Sequence, residues 1–124
     1  MSEVKYTKDH EWLNVDGEEA TIGITTYARH ALGDLVFIEL PEIGRSVSKG
    51  DDFAVVESVK AASEIYTPVT GEIVSVNDNL QDNLDDLKED IDTGWIVKVK
   101  MTDAGEMAEL MDKAAYDEYV AGLE

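Results

Sequence analysis

The feature that most constrains this chain is a succession of short β-type runs, separated by turn residues, from Val4 to about Val99. Closely spaced short strands with intervening turn signals are typical of a small all-β barrel or sandwich, whereas βαβ units need helical segments between their strands. We therefore predict a mainly β fold, a barrel-sandwich of two antiparallel sheets. The predicted strands cover residues 12–15, 20–24, 35–39, 53–58, 63–66, 71–76 and 95–100.

Two segments carry helical signals instead. Residues 25–32 have apolar side chains at helical spacing, with Thr25 or Thr26 as a possible N-cap and Gly33 as the stop, which predicts a short internal helix. Thr102 or Asp103 is a possible N-cap for a C-terminal helix over roughly 103–121, packed on the barrel. Its predicted apolar stripe comprises Met107, Leu110, Met111 and Ala114. A length of 124 residues is that of one domain, here residues 1–124.

The charge balance excludes several classes of partner. The chain has 28 acidic and 10 basic residues, a formal net charge of −18, which repels phosphate backbones and anionic lipid surfaces. It contains no apolar run near the roughly 20 residues of a membrane span, and its first residues resemble neither a signal peptide nor a transit peptide. We expect a cytoplasmic protein that binds neither nucleic acid nor membrane.

No pattern for catalysis or metal binding is recognisable. Without cysteine the chain has no disulfide, thiolate ligand or cysteine nucleophile, so any sulfur chemistry must come from a cofactor. The acidic segment 77–92 lacks the ligand order of an EF-hand, and we predict a solvated loop or helical turn held by Leu80, Leu84 and Leu87. His10 and His30 are isolated and are interpreted as structural or surface groups. We predict a protein without metal or independent turnover.

Lys60 lies between two β runs, at a place where no glycine, proline or asparagine is present to form the usual two-residue hairpin turn. At a hairpin tip its amine would be exposed to a modifying enzyme. A protonated amine is not a nucleophile, so that enzyme would have to remove a proton from it. The position indicates a carrier lysine.

The residues around Lys60 resemble a known motif. The run Glu57, Ser58, Val59, Lys60, Ala61, Ala62 and Ser63 is similar to the lipoylation motif of glycine cleavage H proteins. Residues 6–12, 23–25, 32–37, 40–44, 68–73 and 94–95 resemble further blocks of that family, in order and spacing. Biotin carriers typically have methionines beside their lysine, and the lipoyl domains of 2-oxo acid dehydrogenases usually have aspartate before it. Neither pattern fits this chain.

The resemblance implies a lipoyl/biotinyl-type fold with (R)-lipoate attached covalently to Lys60. Glu57, Ser58, Val59 and Ala61 would form the attachment hairpin. The arm would carry the aminomethyl group of glycine from glycine decarboxylase to the aminomethyltransferase, and dihydrolipoamide dehydrogenase would reoxidise it. A lipoate ligase or a lipoyl or octanoyl transferase would attach it. By position, the acids of the family's arm cleft are Asp9, Glu11 and Glu64, and a monomer is expected.

The sequence departs from the family at two places. Members usually carry prolines and a Pro-Tyr pair ahead of the Gly-Trp, where residues 77–94 are acidic and proline-free. They also often have histidine just before the Leu-Gly-Asp block, where this chain has Ala31. Two alternative functions remain open: a relay that donates lipoate to other enzymes, and an interaction module that is never lipoylated.

Overall fold

A computed structural model describes residues 3–87 and 93–123. In these residues the strands are β1 Glu3–Tyr6, β2 Glu11–Asp16, β3 Glu19–Ile24, β4 Leu35–Glu39, β5 Ser46–Val47, β6 Asp52–Ser58, β7 Ala62–Tyr66, β8 Gly71–Val76 and β9 Val97–Met101. The helices are α1 Thr26–Leu32, α2 Asn79–Asp82 and α3 Lys113–Leu123, with 3-10 turns at Leu84–Asp86 and Ala104–Glu109. No helix in this part of the chain is long and apolar enough to cross a membrane.

The strands form two antiparallel sheets. The larger sheet has the order β1-β2-β3-β9-β8-β5, and the smaller has the order β4-β6-β7. The predicted mainly β fold with two antiparallel sheets is confirmed. Strands β1 and β5 were not among the predicted strands, because runs of four and two residues are too short to show an alternation of apolar and polar side chains.

The two sheets enclose the main hydrophobic core. In the larger sheet Leu13 pairs with Ile22, in the smaller Ile38 pairs with Val56, and all four side chains are completely buried. Burial of apolar surface is the dominant favourable term in folding, so these inward-facing rows determine which face of each strand is turned to solvent. Other fully buried members of the core are Ala20, Val69, Ile73, Leu80, Leu87, Ile96 and Val97.

A second cluster lies where α3 packs against β1 and β2. It is formed by Tyr6, Trp12 and Tyr116, and the rings of Tyr6 and Tyr116 stack with centroids 4.8 Å apart. Trp12 is 2% exposed, and Trp95 packs against the same cluster while remaining half-buried. Both tryptophans therefore contribute to this second cluster.

The C-terminal helix differs from the prediction of roughly 103–121. The 3-10 turn Ala104–Glu109 comes first, Met111 then pairs with Tyr6 as an extended bridge, and the regular helix begins at Lys113. The backbone hydrogen bonds between Tyr6 and Met111 hold this segment against β1, and the Asp112 carboxylate accepts from Ala115 N at 2.8 Å as the N-cap.

The predicted apolar stripe of that helix is consequently wrong. Leu110 and Met111 precede the helix, and Ala114 is exposed. The side chain of Met107 lies outside the described part of the structure. The packed face of α3 consists of Tyr116, Tyr119 and Val120.

The two other local predictions are confirmed. Thr25 caps α1 by accepting a hydrogen bond from Ala28 N at 3.4 Å, and Gly33, with φ of 75°, follows its last residue. In the acidic segment Leu80 and Leu87 are completely buried, and Leu84 packs against the core. Residues 88–92 of that segment, including Glu89, Asp90 and Asp92, lie outside the described residues.

We expect Gly23→Ala to destabilise the fold, because an added Cβ would lie 2.5 Å from ring atoms of the buried Trp12. Forcing extra atoms into a packed region typically costs about 1–3 kcal/mol. Thermal or urea unfolding of the variant measures this loss. Gly122→Ala is the matched control, since nothing lies within 4 Å of its added Cβ, and it should leave stability unchanged or slightly higher.

Candidate functional site

Lys60 lies in the connection between β6 and β7, and the turn is held by the side chain of Ser58. The Ser58 hydroxyl oxygen accepts hydrogen bonds from Lys60 N at 3.2 Å and Ala61 N at 3.3 Å, and the hydroxyl donates to Ala61 O at 3.1 Å. Ser58 N also donates to Ala61 O at 2.9 Å. The serine thereby satisfies polar groups of the turn. Glycine is not required at the tip because residues 58–61 all have negative φ.

The hairpin tip is attached to the turn between α1 and β4. Val59 N donates to Asp34 O at 3.0 Å. A Cβ built on Gly33 would lie 3.5 Å from both Cε and Nζ of Lys60, so the lysine side chain lies over this turn while remaining exposed. Only the end of a flexible side chain lies above Gly33, and the amine is accessible to another protein.

Arg29, on α1, links the same turn to the acidic segment. Its guanidinium donates to Gly33 O at 2.6 Å and to Leu87 O at 3.0 Å. Sequence reasoning missed this residue, because both acceptors are backbone carbonyls and leave no signal in the sequence. The divergent acidic segment is therefore connected through one side chain to the turn beneath Lys60.

A cleft of about 280 Å³ brings together Asp9, Glu11 and Glu64, the three acids predicted to share a site. Its wall near the hairpin includes Leu32, the residue before Gly33. The remaining lining is mostly apolar or aromatic and consists of Ile24, Tyr27, Ala28, Ala31, Val56, Ile65 and Tyr66, together with His10 and Ser63. The cleft thus has apolar walls near Lys60 and carboxylates at Asp9, Glu11 and Glu64.

Glu11 is the buried acid of this cleft, with an exposed fraction of 3%. One carboxylate oxygen accepts from the Thr7 hydroxyl at 2.9 Å, and the other accepts from Tyr66 N at 3.4 Å. Burial disfavours the charged form and raises the pKa of Glu11 to about 7. This carboxyl group can therefore be neutral or ionised near physiological pH.

Asp9 and Glu64 are exposed, in contrast to Glu11. The Tyr66 hydroxyl donates to the Glu64 carboxylate at 3.5 Å, and the negative charge of Glu64 raises the pKa of Tyr66. Asp9, Glu64 and Tyr66 all line the cleft. The rim of the cleft therefore carries two carboxylates at the surface, with the third buried beneath them.

His10, between Asp9 and Glu11, has a backbone φ of 70°, a value that residues other than glycine rarely adopt. Its Nδ1 lies 2.8 Å from the Tyr116 hydroxyl, which is 2.7 Å from the Thr25 hydroxyl, and its ring packs on Tyr27 at 4.3 Å. Burial lowers the pKa of His10. These contacts agree with the structural role predicted for His10. His30 is exposed, in agreement with its interpretation as a surface group.

Comparisons with known proteins agree with this geometry. The family model described as glycine cleavage H-protein matches residues 4–122. The chain belongs to the glycine cleavage H-protein family. This family comprises the lipoyl carriers of the glycine cleavage system.

The glycine cleavage system H protein of Parvibaculum lavamentivorans is 50% identical over 125 residues, and the alignment covers 100% of both chains. That of Phenylobacterium zucineum is 54% identical over 119 residues, covering 95% of this chain and 98% of its own.

A solved structure gives the same result. The crystal structure of a glycine cleavage system H protein from Mycobacterium marinum aligns with a TM-score of 0.82 and 36% identity, covering 98% of this chain and 96% of that one. The lipoyl-carrier fold expected from the attachment motif is confirmed. This H-protein family member also has features that its sequence did not reveal, chiefly Arg29, the strained His10 and the Thr7 partner of Glu11.

The raised pKa of Glu11 makes stability depend on pH. Between the unfolded pKa near 4.5 and the folded pKa near 7 the native state binds the extra proton, so the free energy of unfolding falls as pH rises through this range. The shift corresponds to a loss of roughly 3 kcal/mol. In Glu11→Gln this contribution should disappear. Urea unfolding of both proteins at pH 5 and pH 8 measures the difference. If both lost the same free energy of unfolding between these pH values, Glu11 would not be the group responsible.

Proposed function

We propose that this H-protein family member carries lipoate in amide linkage on Lys60 and presents the loaded arm to the enzymes of the glycine cleavage system. The observation that supports this most directly is the pairing of an exposed lysine, on a tightly hydrogen-bonded tip, with an adjoining cleft that ends at a buried carboxyl group. The lysine provides the point of attachment, and the cleft provides a protected position for the arm.

The attachment hairpin contributes geometry to the modification of Lys60. The amine attacks the acyl carbonyl of an adenylate-activated lipoate, the amide bond forms, the bond to phosphate breaks, and AMP leaves with loss of a proton from nitrogen. The modifying ligase or transferase supplies the base. Glu57, Ser58, Val59 and Ala61 present the amine by keeping the tip in one conformation.

Lipoate held on Lys60 would supply the sulfur chemistry for aminomethyl transfer from glycine decarboxylase to the aminomethyltransferase, with dihydrolipoamide dehydrogenase as the enzyme that restores its disulfide. The chain itself contains no sulfur nucleophile, since it has no cysteine. The role of its residues is to bind, orient and protect this group.

The cleft fits a cationic amine at its acidic end. Ionised Glu11 would face that cation in a site with little water, where a charge-assisted hydrogen bond is strong. Asp9 and Glu64 add negative charge at the rim, and the apolar walls exclude water from a group that hydrolyses readily. An approaching ammonium group would also favour the ionised form of Glu11 at neutral pH.

We further propose that the chain acts as a monomer in the cytoplasm and has no turnover of its own. Purified unmodified protein should release no carbon dioxide from glycine in the absence of the partner enzymes. With glycine decarboxylase, the aminomethyltransferase, dihydrolipoamide dehydrogenase and their co-substrates present, the lipoylated form should support repeated turnover. A lipoylated protein that failed in this assay but donated lipoate to other enzymes would instead be a relay.

The assignment of Lys60 is tested by intact mass after incubation with a lipoate ligase, ATP and lipoate. Wild-type protein should gain one lipoyl group, and Lys60→Arg should gain none while unfolding at the wild-type temperature, because the exposed charge is retained. Lys100→Arg is the matched control, an exposed lysine on β9. Lipoylation of the Lys60→Arg variant would refute the assignment.

The role of Glu11 is tested by the lifetime of the aminomethyl-loaded protein in the absence of the aminomethyltransferase. Loss of one charge-assisted hydrogen bond, worth about 1.5–3 kcal/mol, should shorten this lifetime by at least about tenfold in Glu11→Gln. Glu42→Gln, which neutralises an exposed acid in the turn after β4, should leave it unchanged. Equal lifetimes in both variants would show that the cleft does not hold the amine.

A further inference from the structure

A chain of hydrogen bonds joins α1, α3 and the cleft. The Thr25 hydroxyl lies 2.7 Å from the Tyr116 hydroxyl, which lies 2.8 Å from Nδ1 of His10. Thr25 is the N-cap of α1, and Tyr116 is buried on α3. His10 lines the cleft together with Asp9 and Glu11. The last helix of the chain is therefore connected to the cleft through two hydroxyl groups and one imidazole.

The hydrogens of this chain have one direction when His10 is neutral. Thr25 is completely buried and its oxygen accepts from Ala28 N at 3.4 Å, so its hydrogen points to the Tyr116 oxygen. Since two hydrogens cannot lie between the same two oxygens, the Tyr116 hydroxyl donates to Nδ1 of His10. A neutral imidazole carries one proton, and with Nδ1 as the acceptor that proton is on Nε2.

Protonation of His10 would reverse the chain. An imidazolium carries a hydrogen on both nitrogens, so Nδ1 would donate to Tyr116, and the Tyr116 hydroxyl would turn to Thr25. The Thr25 hydrogen would then lose its acceptor at a completely buried position, and an unsatisfied buried donor costs free energy. Burial of the imidazole acts in the same direction and lowers the pKa of His10, although the charge of Asp9 opposes this. The surroundings therefore favour the neutral imidazole.

The position of this imidazole is fixed from several sides. The backbone of His10, with φ of 70°, is held by hydrogen bonds from His10 N to Thr7 O and from Thr25 N to His10 O. The ring packs on Tyr27 with centroids 4.3 Å apart and lies edge-on to the Tyr116 ring at 5.8 Å. Strained backbone persists where the surrounding structure holds it, and such residues cluster at ligand sites. The His10 side chain is thus a fixed part of the cleft wall.

The charged groups that share the cleft with His10 are carboxyl groups, those of Asp9, Glu11 and Glu64. An imidazolium beside them would compete with an arriving ammonium group for these carboxylates and would repel it. On α3 the charges of Lys113 and Asp117 pair with each other at 2.9 Å. The other ionisable side chains on the elements around His10 are Lys8 in its own segment, Tyr27, Arg29 and His30 on α1, Tyr66 on β7, and Tyr116 and Tyr119 on α3.

We propose that Tyr116 is a positioning residue for the cleft: its hydroxyl keeps the His10 imidazole neutral, with the proton on Nε2, so that the carboxylates remain available to the ammonium group of the loaded arm. Tyr116 does not itself line the cleft and acts through His10. This inference rests on the proposed function and extends it to the C-terminal helix. The helix thereby contributes to the electrostatics of the cleft as well as to packing.

Nitrogen NMR of the imidazoles in the full-length lipoylated protein tests the protonation of His10. At pH 8 wild-type His10 should show an unprotonated Nδ1 and a protonated Nε2, a measurement that needs no variant. Tyr116→Phe keeps the ring that stacks on Tyr6 and removes the donor to neutral His10, so it should give a mixture of tautomers and a higher pKa of His10. Tyr119→Phe is the matched control on the same helix, since its hydroxyl donates to Lys8 O at 3.4 Å. It should leave the His10 signals unchanged.

The lifetime of the aminomethyl-loaded protein at pH 6 and pH 8 tests the consequence for the arm. At pH 8 the wild type and Tyr116→Phe should have similar lifetimes, because His10 is neutral in both. At pH 6 the wild type should outlast the variant by about two- to tenfold, the effect of one neutral hydrogen bond on an equilibrium. The titration of Glu11 is common to both proteins and cancels in this ratio. Tyr119→Phe should match the wild type at both pH values.

The outcomes separate this proposal from the proposed function. If the loaded wild type lives no longer than Glu11→Gln, the cleft does not hold the amine and the proposed function fails. If the wild type is protected but Tyr116→Phe shortens the lifetime by the same factor at both pH values, Tyr116 is only a packing contact and the proposal is wrong. A proton on Nδ1 of neutral wild-type His10, or His10 signals that do not change in Tyr116→Phe, would also overturn it.

Discussion

Burial of one face of each sheet in a common core is the constraint on which the functional surface depends. Ile38 and Val56 pair across β4 and β6 and face inward, so Phe37 and Glu57, one residue away, face solvent. Because the side-chain period of a strand is two, a slip of one residue would exchange these faces. The same packing that stabilises the barrel-sandwich thus determines which side chains surround Lys60.

Two kinds of contact convert this scaffold into a carrier site. Backbone and side-chain hydrogen bonds hold the tip of the hairpin, at Ser58 and through Val59 to Asp34, while the lysine side chain remains exposed. In the cleft, Glu11 is buried at an energetic cost that Thr7 and Tyr66 partly offset. In the proposed function these two features have complementary purposes, since the hairpin tip would orient the arm and the buried carboxyl group would receive its charge.

Much of the local structure could be predicted from sequence, because it depends on short-range patterns. Alternation of apolar residues predicted the longer strands, and Thr25 with Gly33 predicted α1. The start of α3 was not predictable, because the bridge between Tyr6 and Met111 joins residues more than a hundred positions apart. Burial of Glu11, the strain at His10 and the Arg29 contacts also arise from chain segments that meet only after folding.

The sequence by itself determined the fold class, the acidic character of the surface and the motif that marks Lys60, since each of these is a property of residue types and their spacing. The family resemblance also named Asp9, Glu11 and Glu64. Only the tertiary structure decided that they share one cleft and that Glu11 is its buried member. Burial and proximity depend on long-range packing, which determines the solvation and charge around each group.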